Sequence, residues 1–276
     1  PFVARGAGTG LSGGALAGGD AVLVVLTRLN RILQLDPVRR RAVVEPGVVN
    51  ARLSEAALPH GLYYAPDPSS QSACTLGGNV AENAGGPHCL KYGVTTNHVA
   101  ALEVLLPNAE LVRLGSRSGE AWGPDLVGLF VGSEGMFGIA TEITLRLAPL
   151  PAAVRTLLAA FPSIRAASEA VSGIIAAGIV PAAMEMMDQA CVRAVEASIY
   201  AAGYPADAAA VLLVEVDGSA EATEAEAALV ESLLLRHRAT EVRTATTAAE
   251  RARLWQGRKK AFGAMGRISP DLAVQD

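Results

Sequence analysis

Along the first 150 residues, short apolar runs alternate with glycine turns, which predicts strands more than helices. Ala21–Leu26 is continuously apolar and reads as a buried strand. Ile32 to Asp36 and Ala42 to Glu45 flank Pro37–Val38–Arg39–Arg40 and read as a hairpin. Asn50 to Leu58, capped by Asn50 and closed by Gly61, reads as a short helix. Ala101–Leu106 and Leu111–Leu114 form a second hairpin across Pro107–Asn108–Ala109–Glu110. Ile139, Thr141, Ile143, Leu145 and Leu147 then occupy alternate positions of a half-buried strand.

The pattern changes after Ala148–Pro149–Leu150–Pro151, which places a domain boundary between residues 1–150 and 151–276. Arg155–Phe161 is strand-like. Ser163 opens a helix with Ile164, Ala167, Val171 and Ile174/Ile175 at helical spacing, closed by Gly178. Val211–Val216 is a strand ending at Asp217–Gly218. Ser219 to His237 is a helix with Leu229, Val230, Leu233 and Leu234 on one side, and Glu241–Thr244 returns as a strand. Thr247–Ala248–Ala249–Glu250 is a capping box opening another helix. The expected fold class is α+β in both halves, the second half carrying its helices on one face of an antiparallel sheet.

Composition narrows the chemistry. Of 28 glycines, 21 fall in residues 1–150, so close approach of a ligand to the backbone is expected there. A net charge of −4 argues against a nucleic-acid partner. No apolar run reaches the roughly 20 residues of a membrane span, and Gly173 to Met187 is split by Pro181. Cys74, Cys89 and Cys191 make no CxxC pair, so neither a disulfide framework nor a zinc cluster is expected, and a reducing compartment is. The chain opens at Pro1–Phe2–Val3 without methionine and stops at Val274–Gln275–Asp276 without a closing element. It reads as a piece of a longer protein.

Three glycine loops carry the candidate chemistry. In Arg5–Gly6–Ala7–Gly8–Thr9–Gly10–Leu11–Ser12–Gly13–Gly14, successive amides can converge on a phosphate or pyrophosphate. This loop also satisfies GxGxxG, with Asp36 at a strand end downstream as in a nicotinamide-binding unit. That unit requires a helix after the loop, whereas Ala21–Leu26 reads as a strand. A surface loop without a ligand is the other alternative. Residues 65–93 form a second segment, where Gly77–Gly78 and Gly85–Gly86 flank a polar run bearing Asn79 and Asn83. Their amides suit the mixed donor and acceptor edge of a flat heteroaromatic. Gly132–Ser133–Glu134–Gly135–Met136–Phe137–Gly138–Ile139 is the third. Together the three suffice to enclose a dinucleotide.

Taken together, RGAGTGLSGG, YAPDPSSQSACTLGGNVAENAGGPHCLKYGVTTNHV and GSEGMFGIATEITLRL resemble the FAD-binding domain of the vanillyl-alcohol-oxidase-like, PCMH-type flavoproteins. Within them the chain is similar to the branch of FAD-linked glycolate oxidase subunits, near the D-lactate and D-2-hydroxyglutarate dehydrogenases. The resemblance implies a PCMH-type FAD-binding domain over 1–150, lacking its N-terminal part. A truncated ferredoxin-like cap domain would follow over 151–276 and cover the flavin. It implies that Arg5, Gly6, Ala7, Gly8, Thr9, Gly10 and Ser12 wrap the FAD pyrophosphate. Pro66, Asp67, Thr75, Gly77, Gly78, Asn79, Ala81, Asn83 and Gly85 would lie along the flavin, ribityl and pyrophosphate, with Gly93 closing the strap. Glu134, Gly138 and Ile139 would border the adenosine. Relatives that attach FAD covalently have a histidine where Thr9 stands, so non-covalent FAD is implied.

The implied activity is oxidation of a small D-2-hydroxy acid, glycolate or D-lactate. Electrons would pass to an iron–sulphur subunit or a quinone, beside a companion flavin subunit. A cytoplasmic location, or a peripheral one at the inner membrane through those partners, goes with it. The family's metal-binding histidines and base come from a region that would follow Asp276. By that resemblance a divalent metal would have its ligands outside this chain, and the 276 residues alone would bind FAD but turn over poorly. Two other readings share the flavin fold: a non-catalytic companion subunit, and an alkylglycerone-phosphate-synthase-like enzyme.

Arg258 is the candidate that touches substrate. It shares the apolar helical face of Leu254, Trp255 and Phe262, and Leu254–Trp255–Gln256–Gly257–Arg258 matches the family's substrate-carboxylate motif. A guanidinium fork suits such a carboxylate. The alternative is a structural arginine paired with Glu185 or another acid. His60 and His237 read as a helix-end cation and a solvated residue, His88 and His98 as satisfied polar groups, and Cys74 and Cys89 as small buried hydrophobes.

Overall fold

The structure, a computed structural model, describes residues 1–118, 123–269 and 271. The terminal run Val274–Asp276 lies outside them. Two compact units divide the chain, Pro1–Leu150 and Pro151–Asp276.

The first unit starts with β1 (Phe2–Arg5) and β2 (Val22–Val25), which pair in parallel from Phe2↔Val22 to Arg5↔Val25. A glycine loop joins them, and no helix follows it. The apolar run 21–26 is indeed a strand, but not a buried one. Val22 is 66% and Val25 50% exposed, because continuous apolar character reports preference for burial and not what the strand meets. Next come β3 (Ile32–Asp36), β4 (Arg41–Val44), α1 (Asn50–Ala57), β5 (Leu62–Tyr63), α2 (Leu76–Glu82), α3 (Cys89–Tyr92) and α4 (Thr95–His98). The unit continues through β6 (Val99–Leu105), β7 (Leu111–Gly115), α5 (Leu126–Phe130), β8 (Ile139–Arg146) and β9 (Ala148–Pro149).

Five of these strands form one antiparallel sheet in the order β3-β4-β8-β6-β7, containing both expected hairpins. One face is apolar: Val44, Leu102, Val104, Ile143 and Leu145 pack with Leu53, Leu76 and Val80 of the helices. The other carries charges in register, Arg113 and Arg117 pairing with Glu103 and Glu142. This alternation holds the sheet between core and water. Asn50 does not cap α1. Val49 holds the cap position, and the buried Asn50 Nδ2 donates to Pro66 O at 2.9 Å, tying α1 to the segment that leads into the candidate site.

The second unit runs β10 (Ala153–Phe161), α6 (Ile164–Ala176), β11 (Ala183–Asp188), α7 (Gln189–Glu196), β12 (Ala210–Gly218), α8 (Ala220–Arg236), β13 (Glu241–Thr244), α9 (Ala248–Lys259) and α10 (Ala261–Met265). Its antiparallel sheet has the order β11-β12-β10-β13. With α6 and α8 as crossovers, this is the ferredoxin-like βαββαβ arrangement.

Helices cover both faces of this sheet, contrary to the one-sided layer expected. Leu157, Ala159, Phe161, Leu212, Val214 and Val216 meet α6 and α8. Leu158, Val211 and Leu213 meet α7, α9 and α10 through Val192, Val195, Leu254, Trp255 and Ala264. The central strand β12 is therefore buried along almost its whole length. Ser163 caps α6 as expected, accepting from Ala166 N. Ile164 and Ile175 nevertheless point outward, as does Leu229 on α8, because the buried stripe is carried by Ala167, Ala170 and Ile174 and by Val230, Leu233 and Leu234. His237 is not simply solvated: its ring lies where a side chain at Gly173 would stand, so it fills the contact between α6 and α8.

Candidate functional site

The first glycine loop converges with the other two on α2. Thr75 caps this helix, its Oγ1 accepting from Gly78 N at 3.3 Å, and a side chain at Gly6 would collide with the same hydroxyl. Gly6 thus lies flush against the helix start. Ser12 Oγ donates to Glu82 Oε2 at 3.3 Å at the other end. A Cβ at Gly14 would stand 3.3 Å from Glu134 Oε2, in the third loop. That loop is pinned to α2 in turn, Gly132 N donating to Val80 O (2.8 Å) and Glu134 N to Ala81 O (2.9 Å).

The polar run expected to be a strap is therefore mostly helix. Leu76–Glu82 contains two glycines and an asparagine, a poor helix former by propensity. It forms because Thr75 caps it and its first turn docks on the preceding chain: Leu76 N donates to Val48 O and Gly77 N to Pro46 O. Asn83 ends it in the left-handed conformation (φ 50°), its Oδ1 accepting from Thr96 N at 2.9 Å. Gly77 and Gly86 have local packing reasons. A Cβ at Gly77 would stand 2.5 Å from Pro46 Cβ, and one at Gly86 2.5 Å from Asp67. Gly85 sits against Cys89 Sγ and Val94, and Gly93 ends α3 at φ +81° beside Asn97.

What these segments leave available is polar. No amide from Gly6 to Gly14 donates a hydrogen bond to another described residue, so nine successive donors are open. The amides of the third loop, by contrast, are largely engaged. Asn79 Nδ2 and Ser133 Oγ are both buried without a hydrogen-bond partner, although their residues are only 3% and 5% exposed. A buried polar atom left unmatched costs about 1–3 kcal/mol. Two of them, on segments that converge at a bare loop, suit a ligand carrying polar edges and an anionic group. Ser133 was not singled out beforehand, though it stands within the quoted GSEG run.

Asp67 is engaged with His88, Oδ2 lying 2.9 Å from Nδ1 and Oδ1 accepting from His88 N at 3.3 Å. His98 is buried, with Nε2 2.8 Å from Tyr92 O and its ring edge-on to Tyr64. Burial holds it below the ordinary histidine pKa. Both histidines are satisfied polar groups, as expected. Burial pushes the Cys74 thiol up, away from nucleophile chemistry. Cys89 departs from expectation: it is half-buried and hydrogen-bonded to Gly86 through Sγ. Asp36, the residue a nicotinamide reading would use, instead holds the turn before β4 by accepting from Arg39 N and Nη1. Among the described residues no group of three histidines, cysteines or carboxylates could hold a metal ion, and no helix is long and apolar enough to cross a membrane.

In the second unit, Thr247 caps α9 by accepting from Glu250 N (3.1 Å). Glu250 reaches back to Thr246 N rather than to the cap residue, so the box is displaced by one position. Arg258, near the end of this helix, meets the partner foreseen as its structural alternative. Its Nε and Nη2 donate to Glu185 Oε2 at 3.0 and 2.7 Å.

Residues 1–115 match the FAD binding domain family, and residues 150–276 match the C-terminal domain of FAD linked oxidases. The chain belongs to the FAD-linked oxidases. FAD is thus the cofactor of this flavoprotein's first domain, the choice the open amides and the two unmatched polar atoms already favour. Over all 276 residues it is 53% identical to glycolate oxidase subunit GlcD of Escherichia coli (strain K12), covering 55% of that protein. It is 37% identical over 227 residues to a D-lactate dehydrogenase of Anaerostipes hadrus, covering 80% of this chain and 48% of the relative. The flavoprotein chain thus spans about half the length of these curated relatives. A solved p-cresol methylhydroxylase superposes with a TM-score of 0.77 at 17% identity, over 96% of this chain and 58% of that one. That likeness establishes the PCMH-type fold.

Proposed function

We propose that the complete protein oxidises a small D-2-hydroxy acid, glycolate or D-lactate, to the 2-oxo acid, with FAD bound non-covalently. What carries this reading is the 53% identity to a glycolate oxidase subunit over all 276 residues. FAD, when bound, supplies the acceptor for the hydride that leaves Cα.

The chain's own part is holding and orienting. The open amides of Gly6, Ala7, Gly8, Thr9, Gly10 and Ser12, with the Arg5 guanidinium that lies against Gly8, take the pyrophosphate. Asn79 and Ser133 offer their buried polar atoms to the cofactor's polar edges. Pro66, Asp67, Thr75, Gly77, Gly78, Ala81, Asn83, Gly85 and Gly93 form the wall around them, and Glu134, Gly138 and Ile139 border the adenosine. Thr9 has no ring nitrogen to alkylate, hence the non-covalent cofactor. Arg258 takes the substrate carboxylate. Its pairing with Glu185 does not exclude this, since Glu185 takes Nε and one hydrogen of Nη2, while Nη1 makes no hydrogen bond to a described residue. The electrons then leave to a partner iron–sulphur subunit or a quinone, beside a companion flavin subunit.

Anaerobic addition of glycolate or D-lactate to the complete, FAD-loaded protein is expected to bleach the flavin's visible absorbance, whereas L-lactate and ethanol are not. No bleaching by any 2-hydroxy acid would overturn the proposal.

A further inference from the structure

We propose that Glu185 is a positioning residue: it orients Arg258 so that the open guanidinium fork meets the substrate carboxylate. This rests on the reading of Arg258 given above. Arg258 and Glu185 approach from different elements, both firmly held. Glu185 stands on β11 opposite the buried Leu213 of β12. The α9 helix is tethered at Leu254, Trp255 and Gly257, to the sheet through Glu215 and to the loop residue Tyr204. Tyr204 Oη donates to Leu254 O, Trp255 Nε1 donates to the buried Glu215 Oε2 at 2.6 Å, and Gly257 packs so closely that a Cβ there would stand 2.7 Å from Tyr204 Oη. Tyr204 is fixed in turn by Glu196, whose Oε1 accepts from the amides of Ala202, Gly203 and Tyr204 at 2.8, 3.0 and 3.0 Å.

The pair itself is partly exposed, 31% for the Arg258 side chain and 21% for Glu185. Such a pair contributes little to stability. Its geometry does more than its energy. One carboxylate oxygen accepts from both Nε and Nη2, which fixes the plane of the guanidinium and leaves Nη1 without a hydrogen bond to a described residue. A free arginine loses rotamer entropy on clamping a carboxylate. Glu185 removes part of that loss before the substrate arrives, the usual route by which preorganisation improves affinity. Its negative charge works the other way, repelling an anion. The proposal holds that orientation outweighs repulsion.

The test uses the complete, FAD-loaded enzyme, with flavin content and thermal midpoint recorded for every variant. Arg258→Met should raise KM for glycolate at least tenfold. Glu185→Ala should raise it about tenfold with kcat within threefold of the parent, and should add nothing in the Arg258→Met background. Glu185→Gln keeps an acceptor for the Nε–Nη2 edge and should restore KM to within threefold. Glu185→Asp, which withdraws the carboxylate by one methylene, should behave like the alanine variant and decides the matter if that variant does not fold. A KM unchanged or lowered by Glu185→Ala or Glu185→Asp, with Arg258→Met still impaired, refutes the positioning role alone. A KM unchanged by Arg258→Met refutes the underlying reading of the arginine.

Discussion

Replacing Gly77 by alanine separates two explanations of the glycines around α2. If Gly77 exists only to let a cofactor approach, the FAD-free protein should gain stability from alanine, by about 1 kcal/mol of helix propensity. The structure gives the opposite sign. A Cβ at Gly77 would stand 2.5 Å from Pro46 Cβ, 3.0 Å from Pro46 O and 3.1 Å from Pro46 Cα. The Gly77 amide already donates to that carbonyl at 2.7 Å, so the helix cannot retreat without losing the bond. Overpacking of this kind costs about 1–3 kcal/mol, and a proline ring that cannot rotate aside puts it near the upper end. Subtracting the propensity gain leaves a net loss of about 2 kcal/mol, a fall in midpoint of roughly 4–8 °C for a unit of this size. Gly263 on α10, with nothing within 4 Å of its virtual Cβ, is the control and should gain stability when changed to alanine, by about 0.5–1 kcal/mol. Thermal unfolding followed by circular dichroism on FAD-free protein measures both. A Gly77→Ala protein as stable as its parent would refute the packing argument.

Further outcomes follow from the same contacts. His98 is held below its ordinary pKa by burial, so the unfolded chain takes the proton first and stability falls as pH drops below about 6.5. Between pH 7.5 and 5.0 the fall in midpoint should be smaller for His98→Gln than for the parent. Phe161→Ala, at a fully buried site between the sheet and α6/α8, should cost about 3–5 kcal/mol in denaturant titration. Thr247→Ala removes the α9 cap and should cost about 1 kcal/mol, seen as faster amide exchange in the first turn of that helix.

Elements with a clean period were legible: the β3–β4 and β6–β7 hairpins, and α6 with its Ser163 cap. The α2 helix was not, because LGGNVAE has weak propensity and folds only through Thr75 and its docking on Pro46 and Val48. Nor was the second helical layer of the second unit, since α7 and α10 are too short to show a period. An unbroken apolar stretch such as 211–214 fits a strand covered on one face or on both. At the site, the open amides of the loop Arg5–Gly14 were legible because a loop in which half the residues lack a Cβ leaves its backbone accessible. The state of Arg258 was not, since motif and spacing could not tell an arginine that binds substrate from one paired with Glu185. The edge geometry of the pair accommodates both.

The measurement that bears most directly on this account is the visible absorbance of the purified complete protein, before and after denaturation and ultrafiltration. Bound oxidised flavin should be present, close to one per chain, and should pass the membrane entirely once the protein is unfolded. Flavin retained on the denatured chain would contradict the non-covalent site at Thr9. A folded, colourless protein that takes up no FAD at saturation would contradict the cradle itself.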